Sequence, residues 1–194
     1  MKKRWDLAMP EMELLQKELR RELYKRRFRR ILRSSFNALI VVAAVAALIA
    51  TLLLPVLQIA GTSMEPSLKD GDIVVLAKTD RLGNGDLCAF YYSNKILIKR
   101  IIGIPGDYIW INNEGTVYVN NVELIEPYIS EKALGECDIE FPYQVPENYY
   151  FMMGDHRETS VDSRSSVIGC IAEDQIIGKI LLRIWPLKEF LWMG

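Results

Sequence analysis

The sequence predicts a mainly β protein: one membrane helix near the N-terminus, then an antiparallel β domain shaped like a distorted barrel. Three observations carry this. An uncharged apolar run separates a basic segment from an acidic one. Beyond it, short runs rich in β-branched and aromatic residues alternate with clusters of Gly, Pro, Asn and Asp. The chain has 194 residues, which suits one modest domain with appendages.

The elements follow in order. Residues 1–33 form a basic arm, with 12 Lys/Arg against 5 Asp/Glu. Its stretch "PEMELLQKELRRELYKRRFRRIL" has helical character, because Leu15, Leu19 and Leu23 fall at four-residue spacing. Such a helix suits a membrane surface, and disorder in the first part of the arm is an equal expectation. Residues 34–59 form the anchor. No residue from Ser34 to Met64 is charged, and the apolar core "ALIVVAAVAALIATLLLPVLQI" covers the 22 residues Ala38–Ile59. A helix of that length spans roughly 33 Å, enough for a hydrocarbon layer of about 30 Å. Pro55 is expected to bend or end it near its outer side. The run is too long and starts too late for a cleaved signal, so a retained anchor is expected. "YKRRFRRILR" sits immediately before it. Cations stay on the cytoplasmic side, which places the N-terminus inside and residues 60–194 outside. Their position against a membrane span argues against a nucleic-acid patch.

Residues 60–194 are acidic, with 12 Lys/Arg against 20 Asp/Glu, and form the β domain. Strands are expected at Asp72–Lys78, Asp86–Tyr92, Lys95–Ile102, Asp107–Asn112, Thr116–Asn120 and Tyr149–Gly154. Ile176–Leu187 reads as a final strand or strand pair. Glu126–Tyr143 is less regular and reads as a surface excursion. Trp185, Phe190 and Trp192 near the end suit either a membrane interface or a packed tail.

Cys88, Cys137 and Cys170 lack close metal-ligand spacing, and the sole histidine, His156, does not make a protein-only zinc site. No metal and no cofactor is expected. An oxidising exterior permits one disulfide, and an odd count leaves at least one thiol outside it.

A single histidine also narrows the search for a base. A Ser-His-Asp triad would have to use His156, which lies in the polar turn "MMGDHRETSVDSR". Lysine is the other option, but a free lysine is almost wholly charged at pH 7 and must lose water to serve. In "KILIKRII", strand alternation puts Leu97, Lys99 and Ile101 on one face and Arg100 on the other. Lys99 is therefore flanked by apolar side chains and becomes dry if that face turns inward. The alternative is an edge strand whose lysine reaches solvent. Ser63 is the serine to set beside it. It lies in "IAGTSMEPSL", where Gly61 permits close backbone approach and Pro66 stiffens the turn. Taken alone, this stretch is equally a linker turn.

Four ordered stretches decide between these readings: "GTSMEPSL" (Gly61–Leu68), "GDIVV" (Gly71–Val75), "KRIIGIPGD" (Lys99–Asp107) and "GDHRETSVDSR" (Gly154–Arg164). Following a single membrane span, they resemble the bacterial type I signal peptidases, membrane-bound Ser-Lys endopeptidases of peptidase family S26. The resemblance implies that Ser63 is the nucleophile, Lys99 the general base and Ser160 the residue that orients that base. It implies structural support from Asp155, Asp162, Arg164 and Arg100, a substrate-lining role for Met64, and signal-peptide-bearing preproteins as substrates. The backbone N–H of Ser63 is the natural oxyanion donor. Two positions depart from the pattern. Some members carry a serine where this chain has Gly61, and the fourth motif often has asparagine where this chain has His156. A Ser-Lys self-cleaving repressor-type protease would carry a soluble DNA-binding module in place of the span. A non-catalytic membrane-anchored adaptor has no need of Ser63, Lys99 and Ser160 together.

Overall fold

The computed structural model describes residues 12–53, 55–79 and 81–193. It divides into an N-terminal helical unit and a β unit. The helix α1, Met12–Leu53, runs unbroken for 42 residues and is long and apolar enough to cross a membrane. The basic stretch and the apolar run as far as Leu53 are thus one helix. The first part of the basic arm, residues 1–11, lies outside the described residues.

The apolar run is not helical over all 22 residues; the helix ends just before Pro55, as expected of that residue. Helix α1 stops at Leu53, and Val56–Gln58 is a strand, β1. Pro55 accounts for the stop: its ring cannot donate to the helical ladder and disfavours helix in the residue before it. Val56, Leu57 and Gln58 pair instead with Val75, Val74 and Ile73 of β2 (Ile73–Ala77).

The other strands are β3 (Leu87–Tyr92), β4 (Lys95–Gly103), β5 (Tyr108–Ile111), β6 (Val117–Val119) and β7 (Val122–Glu123). They are followed by β8 (Tyr143–Gln144), β9 (Tyr149–Met153), β10 (Ile171–Ala172), β11 (Ile176–Trp185) and β12 (Leu191–Trp192). All pairings are antiparallel. The larger sheet has the order β1-β2-β11-β3-β4-β9-β10, with β12 beside β11; the smaller has the order β7-β6-β5-β8. All seven expected strands are present, and Ile176–Trp185 is a single strand.

Alternation explains why the central strands read as continuous apolar runs. Leu87 and Ala89 of β3 enter a cluster with Ile59, Met64, Leu68, Val74, Leu76 and Ile180. Cys88 and Phe90 of the same strand point the other way, to Ile101, Tyr150 and Met152. Both faces are covered, so neither set of positions can be polar. In β9, Phe151 and Met153 turn to a third cluster with Ile102 and Ile109, beneath the smaller sheet. The β6–β7 hairpin turns through Asn120 and Asn121, with φ of 52° and 67°. Asparagine tolerates that left-handed backbone, which a two-residue hairpin requires at both positions.

The segment Glu126–Tyr143 differs from its sequence reading. Glu126 is buried, and Leu134, Ile139, Phe141 and Tyr143 pack against the third cluster. At the other end, Trp185, Phe190 and Trp192 are 52%, 61% and 62% exposed, so they do not form a packed tail. All three cysteines are free thiols. Burial pushes Cys88 up to about 12 and Cys170 up to about 11, which removes both as ready nucleophiles.

Candidate active site

The turn carrying Ser63 joins β1 to β2 and is held from several sides. Met64 and Leu68 are buried in the first cluster and act as two apolar pins. The N–H of Leu68 donates to the carbonyl of Met64 at 2.9 Å, and that of Glu65 to Thr62 at 3.0 Å. Gly61 has φ of +96°, a conformation open to glycine at little cost, and its N–H donates to Asp70 at 2.8 Å. Asp72 Oδ2 accepts the N–H of Lys69 and, at 2.9 Å, Arg183 Nη1. Arg183 also donates to the carbonyl of Ser67 at 3.3 Å, while Arg100 reaches the Ser67 hydroxyl at 3.2 Å. Ser63 stays half-buried on this fixed turn.

Lys99 comes from the middle of β4. It lies opposite Cys88 of β3, in a register where Phe90 faces Leu97 and Met152 faces Ile101. Opposed residues of antiparallel strands share a face. Lys99 therefore stands on the apolar face with Leu97 and Ile101, as the alternation predicts, and is only 4% exposed. Its Nζ donates to Ser63 Oγ at 2.9 Å and to Ser160 Oγ at 3.0 Å. Burial draws its pKa down to about 8, against opposing pulls from the carboxylates of Asp162 and Asp155. The Arg164 guanidinium adds to the lowering.

Ser160 is held by Asp162, whose Oδ2 accepts its hydroxyl at 2.7 Å and the N–H of Gly154 at 2.9 Å. Arg164 clasps the same carboxylate through Nε and Nη2, both at 2.8 Å. Its remaining donors reach the carbonyls of Leu134, Ala133 and Ser160. Asp162 and Arg164 have no exposed side-chain surface. Arg100 points away from Lys99 and binds Asp155 through two bonds, at 2.8 and 2.6 Å.

The fourth motif is also tied to the first. The His156 N–H donates to the carbonyl of Ser63 at 3.1 Å. Gly154 approaches so closely that a Cβ there would overlap Ser160 Oγ and stand 2.6 Å from the Ser63 carbonyl oxygen. Both neighbours are fixed, so Gly154→Ala must displace one of them. We expect at least a hundred-fold loss of activity and a lowered melting temperature, measured together on the purified variant. Wild-type values in both would contradict this packing.

His156 itself does not approach Ser63 through its ring; Nδ1 lies 2.8 Å from Thr159 Oγ1. The sequence reading also overlooked a buried pair. Arg157 donates to Glu126 through Nη1 at 3.1 Å and Nη2 at 2.5 Å, and Tyr128 donates to Glu126 at 3.0 Å. The Tyr128 ring lies 3.9 Å beneath the Arg100 guanidinium. Arg157 lies within the fourth motif, so half of this signal was visible there. Asp72–Arg183 was overlooked as well; both ends lie on or beside expected strands.

A groove of about 390 Å³ opens at Ser63 and Lys99, walled by Leu57, Ile59, Ile96 and Ile98. Ser63 and Lys99 both line it, a hydroxyl and a dry amine within hydrogen-bonding distance of each other. The signal peptidase, peptidase S26 family profile matches residues 32–185. The chain belongs to the S26 signal peptidases. It is 37% identical over 152 residues to signal peptidase IB of Staphylococcus aureus strain Mu50, spanning 68% of this chain and 78% of that protein. It is 34% identical over 166 residues to signal peptidase I of Bacillus licheniformis, spanning 79% and 88%. A solved signal peptidase I from Enterococcus faecalis V583 aligns with 53% of this chain and 98% of its own, at 26% identity and a TM-score of 0.45. As an S26 signal peptidase the chain is a serine endopeptidase that cleaves signal peptides.

Proposed function

We propose that Ser63 and neutral Lys99 cleave signal peptides from exported preproteins through an acyl-enzyme, at the outer face of the cytoplasmic membrane. One observation carries this: a buried amine 2.9 Å from Ser63 Oγ, with its pKa near 8. At pH 7 about one-tenth of such amines are neutral, against about one in three thousand for a free lysine.

The steps follow from the contacts. In its neutral state Lys99 accepts the Ser63 proton across the same 2.9 Å as Oγ attacks the scissile carbonyl. The protonated amine then gives its proton to the leaving nitrogen. Water, activated by Lys99 in turn, hydrolyses the ester. Ser160 aims the amine and Asp162 aims Ser160. Asp155, Arg100 and Arg164 keep those parts in place, and Met64 pins the turn beside the groove. For the oxyanion, the Ser63 N–H is unengaged among the described residues, whereas the Gly61 N–H is committed to Asp70. Ser63 N–H is therefore the main-chain donor for that charge.

The aliphatic walls of the groove, Leu57, Ile59, Ile96 and Ile98, suit the residues before the cut. Residues 1–33 lie in the cytoplasm, the apolar part of α1 crosses the bilayer, and the β unit works outside, as the basic flank directs. Exposed Trp185, Phe190 and Trp192 suit contact with lipid at that face. Enzyme and substrate share one surface, which raises their effective concentration.

The pH profile tests the base. The cleavage rate should climb about ten-fold per unit below pH 8 and level off above it, as Lys99 loses its proton. Steady-state rates on a precursor in lipid vesicles give the profile. A midpoint near that of free lysine would remove Lys99 as a desolvated base.

A further inference from the structure

A second concavity borders the Ser63 turn. It holds about 400 Å³ and is lined by Glu65, Pro66, Glu131, His156 and Glu158, among others. Glu65 and Pro66 lie two and three residues after Ser63 in the chain, and the His156 N–H holds the Ser63 carbonyl. We infer that this cleft receives the first residues of the mature chain, and that its glutamates favour basic over acidic residues just after the cut. The inference rests on the Ser63–Lys99 reading.

A polypeptide whose carbonyl sits at Ser63 must extend in both directions. In extended form, four residues cover roughly 13 Å. The groove on Ser63 and Lys99 is walled by Leu57, Ile59, Ile96 and Ile98 and matches a hydrophobic segment. The cleft beyond Glu65 differs in its charged lining, which includes Glu65, Glu131, Asp155 and Glu158. Its charges can be accounted for. Asp155 is taken by Arg100, Arg157 by Glu126 and Lys69 by Glu189. Glu65, Glu131 and Glu158 form no ion pair among the described residues. Glu131 and Glu158 are exposed, and Glu65 is half-buried. The cleft therefore presents unneutralised negative charge to whatever chain enters it. Solvent and salt screen such charges, so the discrimination is on the order of ten-fold.

The experiment uses the full chain in detergent at low salt. Two peptides share one signal segment and cut site and carry either Lys-Lys or Glu-Glu at the second and third positions after the cut. The ratio of their kcat/KM values is internal to each enzyme, so a general loss of activity does not move it. The wild type should favour Lys-Lys roughly ten-fold, mainly through KM, and the gap should shrink as salt is added. Glu131→Gln with Glu158→Gln should bring the ratio towards one, and Glu131→Lys with Glu158→Lys should invert it. A wild-type ratio near one, or a ratio unmoved in both double variants, would overturn the inference. Failure of the wild type to cleave a third peptide with Ala-Ala there would instead overturn the protease reading, and this inference with it.

Discussion

Lys99→Met and Lys99→Arg chains are expected to lose precursor cleavage by about 10⁴-fold or more, and Ser63→Ala by as much. The arginine variant is the sharper test. It keeps a positive charge and hydrogen-bond donors in the same strand position, yet a guanidinium does not give up its proton in a protein. If Lys99 only held Ser63 in place electrostatically, arginine would preserve part of the rate. As a base it preserves none. Single-turnover processing of a precursor in vesicles measures this; more than one-hundredth of the wild-type rate from Lys99→Arg would exclude general-base catalysis by Lys99.

The same substitution should report on stability. Lys99 has a lower pKa folded, about 8, than unfolded, about 10.5. Between those values the unfolded chain binds more protons, so stability rises with pH through that window. Below it the charged amine costs the fold about 3 kcal/mol. Lys99→Met removes that cost and loses two hydrogen bonds to serines, worth about 1 kcal/mol each. The inactive protein should be at least as stable as the wild type at pH 7, and its margin over the wild type should shrink from pH 8 to 10.5 as the Lys99 contribution disappears. Paired denaturant titrations give the difference, which also cancels the buried thiols that titrate in both proteins, and a difference that does not change with pH would contradict it.

The second large effect is expected at Asp162. Asp162→Ala leaves the Arg164 guanidinium buried without its counter-charge and strands Ser160 Oγ–H and the Gly154 N–H. Breaking one side of a buried ion pair costs about 3–5 kcal/mol, which in a domain of this size lowers the melting temperature by roughly 10–20 °C. Activity should fall further than stability, because Ser160 then no longer aims the lysine. Arg164→Met also removes buried hydrogen bonds, so its electrostatic effect is read from the rate midpoint rather than from the rate. Asp162 raises the pKa of Lys99 and Arg164 offsets it, so the folded fraction should show its rate midpoint shifted to higher pH. An unshifted midpoint would mean that Arg164 acts only in packing. A smaller effect is expected when Glu126 and Arg157 are replaced together by Leu and Met, since a buried pair exchanged for apolar groups of similar volume is often neutral.

Much of this was legible in the residues. Alternation in "KILIKRII" placed Lys99 on an apolar face, and β4 has that face turned inward against Cys88, Ile101 and Met152. The punctuation by Gly, Pro, Asn and Asp located seven strands because each gap needs backbone freedom or a broken ladder. The end of the membrane helix was less legible. Val56–Gln58 has the same apolar look as the helix before it, and composition does not distinguish a short apolar strand from a membrane segment. Only pairing with β2 separates them, and pairing is not local. Glu126 was hidden for the same reason: its partner Arg157 lies 31 residues away, and an acid in an irregular stretch looks solvated until the fold covers it.

The distance along the chain between the parts of the site has a consequence for biosynthesis. Lys99 is dry only when Met152 has closed over its strand, and it is aimed only when Ser160 is in place. Both arrive late in translation. A partly assembled chain carries a fully protonated lysine and an inert serine, even though the hydroxyl is made early. On the proposed Ser63–Lys99 mechanism, completion of the sheet is the activation event, and the peptidase is harmless to its neighbours while it is being made.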